Sequence, residues 1–379
     1  MGTGAQGLQG HAPRAGGGGQ VSGPLGVAVT GAAGFVGRQL VARLAREPDR
    51  FGPVLALDRT EIPPGQRLEG VRHERCDIRD PQLVERFTAH GIGAVVHLAC
   101  VVVPPPGMER RTWYEIDVGG ARNVAEAAVQ AGVGQFVQAS SGAVYGYRAE
   151  HRMALTESDP RYAEPSFPYA HHKRIVEDEL AALAARRPAL HTLVFRISTV
   201  LGAGLDNAIT RLWSSPVVLG IRGRMSAFSF VWVEDVVEAI AQGLRTGASG
   251  TFNLAGDGVM TLAEIAARQG KPLVELPAPA LRWGLAALRR LGWSSIGPEH
   301  VAFVAHRPVL DNRKLREEFG FEPRLTSREA FEVWLAAARG EPPPACLRRW
   351  GGRRGSSPAG RDGEARRPVA ALATAGGEG

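Results

Sequence analysis

The sequence predicts an α/β protein built on a doubly wound parallel sheet, with a smaller C-terminal lobe. Short apolar runs alternate with amphipathic helical segments from Leu25 to Ile197, which is typical of parallel strands joined by crossover helices. A glycine-rich turn between the first apolar run and the first helical segment supports this prediction. After Gly202 the alternation fades into a region with prolines and tryptophans, which we assign to the smaller lobe.

The strand candidates are short and rich in β-branched and apolar residues. They are LGVAVT (25–30), VLALD (54–58), VRHERCD (71–77), AVVHLA (94–99), QFVQASS (135–141) and HTLVFRI (191–197). The segment ARNVAEAAVQAG (121–132) is typical of the helices between them, and it ends in a glycine suited to a C-cap. The same order of elements predicts one large parallel sheet.

The composition is that of a globular protein with a large core. The chain has 379 residues, of which 44% are hydrophobic and 22% charged. No apolar run reaches the ~18 residues of a membrane span, and the N-terminus has no apolar signal segment. Cys76, Cys100 and Cys346 lie far apart without CxxC spacing, which argues against a disulfide framework and a zinc site. We therefore expect a cytoplasmic protein with reduced thiols.

The formal net charge of +7 is concentrated near the ends of the chain. The tail from Pro343 onward has seven arginines against three acidic residues, so residues 25–342 keep only a small positive excess. We expect neither a nucleic-acid partner nor a membrane partner. The segments 1–24 and 343–379 are rich in Gly, Pro, Ala and Arg and poor in large apolar residues, and we expect both to be disordered.

The first turn of the predicted sheet has the features of a dinucleotide-binding turn. Gly31, Gly34 and Gly37 are spaced GxxGxxG between an apolar strand and an amphipathic helix, and Phe35 and Val36 open that helix. Such a turn lets the backbone approach a pyrophosphate and directs free N–H groups of a helix N-terminus at the anion. We assign all five residues to the cofactor site of a Rossmann fold.

The next strand ends in an acidic residue that favours NAD over NADP. Asp58 lies 24 positions after Gly34, where a carboxylate accepts hydrogen bonds from the adenosine ribose hydroxyls and repels a 2′-phosphate. Arg59 beside it keeps NADP open as the less favoured alternative, because a guanidinium can pair with that phosphate. A solvated loop acid is the structural alternative for Asp58.

The segment FPYAHHKRIVEDE (167–179) places a tyrosine and a lysine on one face of a predicted helix. Tyr169 and Lys173 are four residues apart, and Val176, Leu180 and Leu183 continue the same face inward. A phenol with a pKa near ~10 is a poor base at neutral pH, but an adjacent ammonium favours the phenolate. Lysine occurs at only three positions in the chain, so its presence beside the tyrosine favours a catalytic pair over incidental polar residues.

The two histidines of the same segment do not predict a metal site. His171 and His172 are consecutive, hence about 100° apart on a helix, and neither has a second ligand at the HExxH spacing. We expect both to face solvent, and we expect no metal.

A serine completes the candidate catalytic group. Ser140 and Ser141 end the strand QFVQASS, at the carboxyl edge of the sheet where ligands of α/β folds bind. A hydroxyl there can bond a substrate carbonyl or alcohol beside Tyr169, so the combination indicates hydride transfer at a carbon that bears oxygen.

The ordered set of motifs resembles one family. TGAAGFVG, CDIRD, HLA, SSGAVYG, PYAHHK, FRISTVLG and FVWVEDV follow the order and approximate spacing of the extended short-chain dehydrogenase/reductases, the NAD-dependent epimerase/dehydratase family, over about residues 25–335. The resemblance implies that Tyr169 is the catalytic base, Lys173 lowers its pKa and binds the nicotinamide ribose, and Ser141 orients the substrate.

The resemblance also implies further cofactor contacts and a partner. Asp77 and Ile78 match the pair that flanks the adenine, and Leu98 and Ala99 match the strand-end residues under the cofactor. A homodimer through a four-helix interface is implied as well. On this basis we divide the chain into an NAD-binding domain (25–201) and a region that is mostly the substrate lobe (202–342), from which 229–245 returns to the first domain.

Several departures from the family pattern concern the substrate. Gly142 and Ala143 stand where the sugar 4,6-dehydratases carry an Asp-Glu pair, which removes the acid and base of that elimination. This chain has Thr199 where sugar-nucleotide epimerases commonly have asparagine. It has Phe228 where they have a diphosphate-binding arginine, and Trp232 where they have histidine.

Two further positions bear on the same question. Asp117 stands where asparagine is usual. Arg222 or Arg224 remain as alternative phosphate ligands in the lobe, so a sugar nucleotide stays open as the substrate.

The sequence therefore supports three hypotheses. The first is an NAD-dependent oxidoreductase that acts on a secondary alcohol or ketone of a small molecule. The second is an epimerase of nucleotide sugars, which uses the same first step and returns hydride to the opposite face. The third is a dinucleotide sensor without turnover, which the intact Ser141, Tyr169 and Lys173 disfavour.

Overall fold

The computed structural model describes residues 23–342 and 344, except 152–153, 206–208, 211–212, 214, 225, 292–296 and 299. Apart from residues 23, 24 and 344, the terminal segments expected to be disordered lie outside this part of the chain. The strands are β1 (Leu25–Thr30), β2 (Phe51–Asp58), β3 (Val71–Arg75), β4 (Ile92–His97), β5 (Gln135–Ser141), β6 (His191–Ile197), β7 (Thr199–Leu201), β8 (Val218–Ile221), β9 (Ala227–Phe228), β10 (Phe230–Trp232), β11 (Gly250–Leu254), β12 (Met260–Thr261) and β13 (Leu273–Leu276).

The described α-helices alternate with these strands in the first half and cluster in the second. They are α1 (Phe35–Leu44), α2 (Leu83–Ala89), α3 (Arg110–Tyr114), α4 (Gly120–Gln130), α5 (Pro168–Arg186), α6 (Val233–Thr246), α7 (Leu262–Gln269), α8 (Ala278–Arg290), α9 (His300–Ala305), α10 (Arg313–Glu317) and α11 (Ser327–Arg339). A five-residue π turn, Glu115–Gly119, joins α3 to α4. No helix of the described chain is long and apolar enough to cross a membrane.

A seven-stranded parallel sheet forms the centre of the molecule. Its order is β11-β6-β5-β4-β1-β2-β3, and every neighbouring pair is parallel. The strand order reverses between β1 and β4, which opens a ligand crevice at the carboxyl ends of those strands. The predicted α/β doubly wound Rossmann sheet is therefore confirmed, and all six predicted strands are present. Four boundaries differ: β2 starts at Phe51, β3 stops at Arg75, and β4 runs from Ile92 to His97, one residue before Leu98.

The strands are apolar because both faces of the sheet are covered by helices. On one face Val27 and Val29 of β1 pack with residues of α1 and α6, and on the other Ala28 and Val95 pack with residues of α2 and α4. The buried side chains are largely Val, Ala and Leu, whose shapes suit a pleated surface between helices. This double coverage leaves the carboxyl edge of the sheet as the place where polar side chains collect.

The second half of the chain returns to the sheet more than the sequence suggested. Helix α6 packs against α1, where Arg43 Nε donates to Glu238 Oε2 at 2.8 Å. Strand β11 then joins the edge of the sheet beside β6. The returning part therefore extends beyond the expected segment 229–245 to Gly250–Leu254, because β11 supplies the partner that the edge of β6 otherwise lacks.

The lobe has its own aromatic core. Trp213 is buried, and its ring centroid lies 5.5 Å from Phe228 and 5.6 Å from both Phe230 and Phe331. Three two-stranded pairs, β7 with β10, β8 with β13 and β9 with β12, frame this core. Trp283 on α8 differs from the other described tryptophans, since 79% of it is exposed.

A buried ion pair joins helix α5 to the sheet. Arg196 on β6 donates to Glu177 on α5 through Nη2 at 2.8 Å and Nε at 3.0 Å. The hydroxyl of Ser140 on β5 donates to the same carboxylate, and Arg161 Nη1 lies 3.1 Å from it. Arg196 Nη1 also donates to the hydroxyl of Tyr145 at 2.9 Å. A charge pair with this many hydrogen bonds is well compensated, so it fixes the helix to two strands.

Removing the carboxylate of Glu177 is expected to cost much more stability than removing a neighbouring one. Glu177→Ala leaves the Arg196 guanidinium buried without its anion, so we expect the free energy of unfolding to fall by about 3–5 kcal/mol. Glu179→Ala is the matched control on the same helix, because Glu179 pairs with Arg122 at the surface and should cost no more than about 1 kcal/mol. Urea unfolding of both variants measures this; similar losses would contradict the assigned role of Glu177.

Candidate active site

The three glycines of the turn after β1 differ in how much space surrounds them. Gly31 has φ +73°, and a Cβ atom there would lie 2.7 Å from the backbone nitrogen of Ala99. A Cβ atom on Gly37 would lie 2.1 Å from the carbonyl oxygen of Gly31. Gly34, in contrast, is exposed, and a Cβ atom there would meet only the carbonyl oxygen of Gly31, at 3.1 Å. The turn therefore presents Gly34 to whatever binds at the N-terminus of α1.

Asp58 braces this turn from the end of β2. Its Oδ2 accepts the backbone N–H of Ala33 at 3.0 Å, and its Oδ1 accepts that of Thr60 at 2.8 Å. The carboxylate is thus held beside the glycine turn by two backbone donors. Arg59 is exposed, and its carbonyl oxygen accepts a bond from Arg75 Nε at 3.1 Å.

The first residues of α1 connect the turn to the rest of the site. Val36 packs against the core under the sheet. The ring of Phe35 lies against Gly202, where an added Cβ atom would come within 2.5 Å of Phe35 Cζ. The residue after β7 therefore packs against the start of α1, and a side chain at position 202 would require the Phe35 ring to move.

The remaining predicted cofactor residues lie along the same edge. Asp77 pairs with Arg79 at 2.7 Å, and this hydrogen bond holds the pKa of Asp77 below its usual range. Ile78 is buried against Gly120. The backbone N–H of Leu98 donates to the carbonyl oxygen of Thr30 at 3.1 Å, and Ala99 contacts Gly31 as described above. Of these four residues only Asp77 is charged, and its carboxylate is paired with Arg79.

Tyr169, Lys173 and Ser141 come together at the start of α5. Lys173 is buried, its Nζ donates to the carbonyl oxygen of Ala139 at 2.7 Å, and it lies 5.9 Å from the centroid of the Tyr169 ring. The Ser141 hydroxyl accepts the backbone N–H of Ala143 at 3.2 Å and lies near enough to Tyr169 to affect the pKa of its phenol. The structure thus assembles the three predicted catalytic side chains, drawn from β5 and α5, in one place.

Burial has the largest effect on the pKa of the Tyr169 phenol. It raises the pKa of the phenol well above its ordinary value, and the nearby Cys100 thiol adds to the increase. The bond with Ser141 acts in the opposite direction. Forming a phenolate here therefore requires positive charge that offsets desolvation.

One sequence expectation is wrong, because His172 does not face solvent. It is only 5% exposed, and its Nδ1 lies 3.0 Å from Asp117 Oδ2. The π turn that precedes α4 directs Asp117 inward, where its other oxygen also accepts the N–H of Val101 at 2.8 Å. A buried imidazole needs such a partner, and the carboxylate supplies it. His171 is half-buried, with Nδ1 3.4 Å from the Ala163 carbonyl oxygen.

A very small cavity lies beside the lysine. It has room for about one water (≈ 10 Å³), and its polar lining includes Cys100, Asp117, Gln138, His172 and Lys173. Gln138 Oε1 is buried without a partner in the described structure, so a water there would have an acceptor. The sequence singled out Asp117 as unusual but gave no sign that it pairs with His172.

His97 at the end of β4 is a buried neutral imidazole. Its Nδ1 lies 2.7 Å from Thr30 Oγ1. Burial, with the charge of Lys173 nearby, lowers the pKa of His97 to about 3. The pair therefore ties the ends of β1 and β4 together without adding charge to the crevice.

The lobe contributes an arginine that sequence reasoning missed. Arg307 Nη2 donates to Thr199 Oγ1 at 2.8 Å, and its Cζ lies 4.8 Å from the centroid of the Phe228 ring. Burial lowers the pKa of Arg307. Arg222 and Arg224, the cations expected from the sequence, are exposed. Only the folding of the segment after α9 across the lobe brings Arg307 to this place.

Metal ligation has no support in the described residues. They contain no group of three or more His, Cys, Asp or Glu side chains placed to hold an ion. His172 and Asp117 therefore form a buried hydrogen-bonded pair, and the N–H of Val101 also donates to Asp117.

Comparisons with known proteins identify relatives of this chain. Residues 27–255 match the model of the NAD dependent epimerase/dehydratase family. The chain is similar to the uncharacterized protein Rv0501 of Mycobacterium tuberculosis, with 29% identity over 339 residues that cover 87% of this chain and 89% of the relative.

Solved structures show the same fold. The UDP-glucose 4-epimerase of Thermotoga maritima, solved with UDP-glucose, aligns with a TM-score of 0.66 at 21% identity over 83% of this chain and 99% of its own. MoeE5 in complex with UDP-glucuronic acid and NAD aligns with a TM-score of 0.64 at 26% identity, again over 83% and 99%. Proteins of this shape therefore include NAD-binding ones.

Two alanine substitutions should separate the packing role of the glycine turn from its binding role. Gly37→Ala places Cβ against backbone, so we expect at least about 2 kcal/mol of lost stability. Gly34→Ala is compatible with φ −68° and should leave stability nearly unchanged, but its methyl group would occupy the space where the predicted pyrophosphate site lies, so NAD affinity should fall about tenfold. Thermal unfolding and calorimetric titration with NAD measure the two effects; unchanged NAD affinity in Gly34→Ala would contradict the assignment.

Asp117 is expected to stabilise the fold mainly because its two carboxylate oxygens accept hydrogen bonds. Asp117→Ala leaves both the Val101 N–H and the buried His172 without their acceptor, at a cost of about 2–4 kcal/mol. Asp117→Asn keeps one acceptor oxygen and should lose less than half as much. Equal destabilisation of the two variants in denaturant unfolding would show that the charge, rather than the hydrogen bonds, matters.

Proposed function

The chain belongs to the NAD dependent epimerase/dehydratase family, and we propose that it is an NAD-dependent oxidoreductase acting on a secondary alcohol or ketone. The observation that carries the proposal is the position of Lys173, which is held by the Ala139 carbonyl 5.9 Å from the centroid of the Tyr169 ring, next to Ser141 at the carboxyl end of β5. Bound NAD would supply the acceptor or donor of hydride. Tyr169 would take the proton of the substrate hydroxyl during oxidation and return it during reduction.

The surrounding residues support each part of this reaction. The ammonium of Lys173 lies 5.9 Å from the centroid of the Tyr169 ring, where its charge would favour the phenolate against the effect of burial, and its bond to the Ala139 carbonyl fixes its position. Ser141 has a hydroxyl proton to donate to a substrate oxygen, because its own oxygen accepts from Ala143. Lys173 is buried, and Tyr169 and Ser141 are half-buried, which limits the water that would screen these charges.

NAD is the cofactor that these residues suit best. Gly31, Gly34, Phe35, Val36 and Gly37 form the turn that would receive the pyrophosphate at the N-terminus of α1.

At the ribose, the Asp58 carboxylate would accept from the hydroxyls and repel a 2′-phosphate, so NADP is the less favoured cofactor. Asp77 and Ile78 would flank the adenine, and Leu98 and Ala99 would lie under the cofactor.

Epimerisation of a nucleotide sugar is the second candidate. MoeE5, at 26% identity, was solved with UDP-glucuronic acid and NAD. Arg307 also places a guanidinium against Phe228, where the family pattern has its diphosphate-binding arginine. An epimerase would use the same proton transfer at Tyr169, so the substrate lobe separates the two candidates.

Replacing the Tyr169 hydroxyl tests the proposed chemistry. Tyr169→Phe should lower turnover by at least about 10²-fold while NAD affinity stays within about twofold, because the hydroxyl transfers a proton and the ring keeps its packing. The assay follows absorbance at 340 nm with NAD over a panel of alcohols, ketones and nucleotide sugars. Net change in NADH supports the oxidoreductase; a sugar converted without net change supports the epimerase.

A negative result is equally informative. If the wild-type protein binds NAD but converts nothing in the panel, or if Tyr169→Phe turns over at the wild-type rate, the proposed mechanism is wrong. NAD binding without turnover would favour the dinucleotide sensor. The homodimer implied by the family, with α4 and α5 at the interface, is a separate proposal that light scattering on the purified protein can test.

A further inference from the structure

Helix α8 (Ala278–Arg290) lies on the lobe without burying any of its own side chains. Leu281 and Leu285 are half-buried and four residues apart, so one line of the helix faces the lobe, where α8 packs against α9. Apart from Ala278, which is also half-buried, the rest of the helix is exposed, although most of it is apolar. An amphipathic helix whose apolar residues remain in water indicates a surface for a partner.

The exposed apolar side chains of α8 form a continuous stripe. Trp283, Ala287 and Leu291 are four residues apart, and Leu291 continues the helical backbone as the C-cap. Trp283 lies about 160° around the helix axis from the half-buried Leu281, because each residue turns the helix by about 100°. The exposed fraction of Trp283 is 79%, and those of Leu288 and Leu291 are 40% and 59%. The stripe therefore points away from the lobe, and the described residues leave it uncovered.

Every charged residue of α8 is an arginine. Arg282 and Arg289 are seven residues apart and so lie on one flank of the stripe, and Arg290 ends the helix. The helix thus has three positive charges and no negative one, beside a tryptophan and leucines. That combination is typical of helices that lie in the interface of a lipid bilayer, where the apolar face enters the acyl boundary and the arginines reach the headgroups.

The charge of α8 argues against the other occupants of this face. A second copy of the chain, packed through a two-fold axis, would bring the arginines of one α8 close to those of the other. The chain's own tail from Pro343 onward has seven arginines against three acidic residues, so it would be repelled as well. An anionic partner is favoured instead, and a fluid bilayer accommodates a projecting indole without a preformed pocket.

We propose that α8 docks the protein on an anionic lipid bilayer, with Trp283 and Leu291 entering the interface and Arg282 and Arg290 bonding lipid phosphates. This differs from the expectation of no membrane partner, which rested on net charge and on the length of apolar runs. An interfacial helix depends on neither, because its binding follows from amphipathicity and local charge. The inference uses no residue of the candidate active site, so it is independent of the proposed function.

Sedimentation of the full chain with vesicles tests the docking. Vesicles of phosphatidylcholine with about 30% phosphatidylglycerol are compared with vesicles of phosphatidylcholine alone, because only the former have a negative surface potential. At low ionic strength we expect binding to the anionic vesicles, and at least about tenfold weaker binding to the neutral ones.

Two pairs of variants separate the apolar contribution from the charge. Trp283→Ser should weaken binding to the anionic vesicles at least about tenfold, and Arg282→Gln about threefold. Leu68→Ser and Arg72→Gln are the matched controls at exposed positions outside the lobe, and each should change the binding by no more than about twofold. All four side chains are exposed, so the melting temperatures should stay within about 2 °C of the wild type.

Each outcome supports or overturns the proposal. Weaker binding by Trp283→Ser, with Leu68→Ser unchanged, supports it. Equal binding by Trp283→Ser and the wild type would show adsorption through charge alone, and this result or no vesicle binding by the wild type overturns the proposal. A melting temperature of Trp283→Ser lower by more than about 4 °C would mean that the chain itself covers the indole. Light scattering that shows a dimer lost in Trp283→Ser would assign the face to a second copy, and both results overturn the proposal.

Discussion

The buried ion pair of Glu177 and Arg196 is the interaction on which the geometry of the site depends. Glu177 lies one turn after Lys173 on α5, and it also accepts the hydroxyl of Ser140, the neighbour of Ser141. A single carboxylate thus fixes the helix that carries the tyrosine and lysine against the strand that carries the serine. Because the pair is desolvated and fully bonded, any other orientation of α5 would leave a charge buried alone.

The charged and polar groups around this ion pair differ in whether the chain itself supplies their partners. Asp117 and His172 satisfy each other within the chain, and His97 is neutral. Arg307 has rings and one hydroxyl around it but no carboxylate among the described residues. The polar groups at the carboxyl edge of the sheet therefore have partners within the chain, whereas the guanidinium in the lobe has only a hydroxyl and aromatic rings among the described residues.

The departures from the family pattern also have structural reasons. Gly142 stands where dehydratases have an acidic residue, and a Cβ atom there would lie 3.0 Å from Leu310 Cδ2. A larger side chain at position 142 would therefore require Leu310, from the segment after α9, to move. The same segment brings Arg307 to Phe228, so one part of the lobe contacts both positions.

The sequence by itself determined the parallel sheet, the glycine turn and the assembly of Ser141, Tyr169 and Lys173, because these depend on local periodicity and on strand ends that a parallel sheet brings to one edge. It misplaced His172 because nothing in a helical pattern shows that a π turn 55 residues earlier supplies an inward carboxylate. Arg307 was missed for the same reason, since its neighbours lie about 80 and 108 positions away and meet only when the lobe folds. Spacing fixes what lies on one element, whereas partners from distant elements are decided by packing alone.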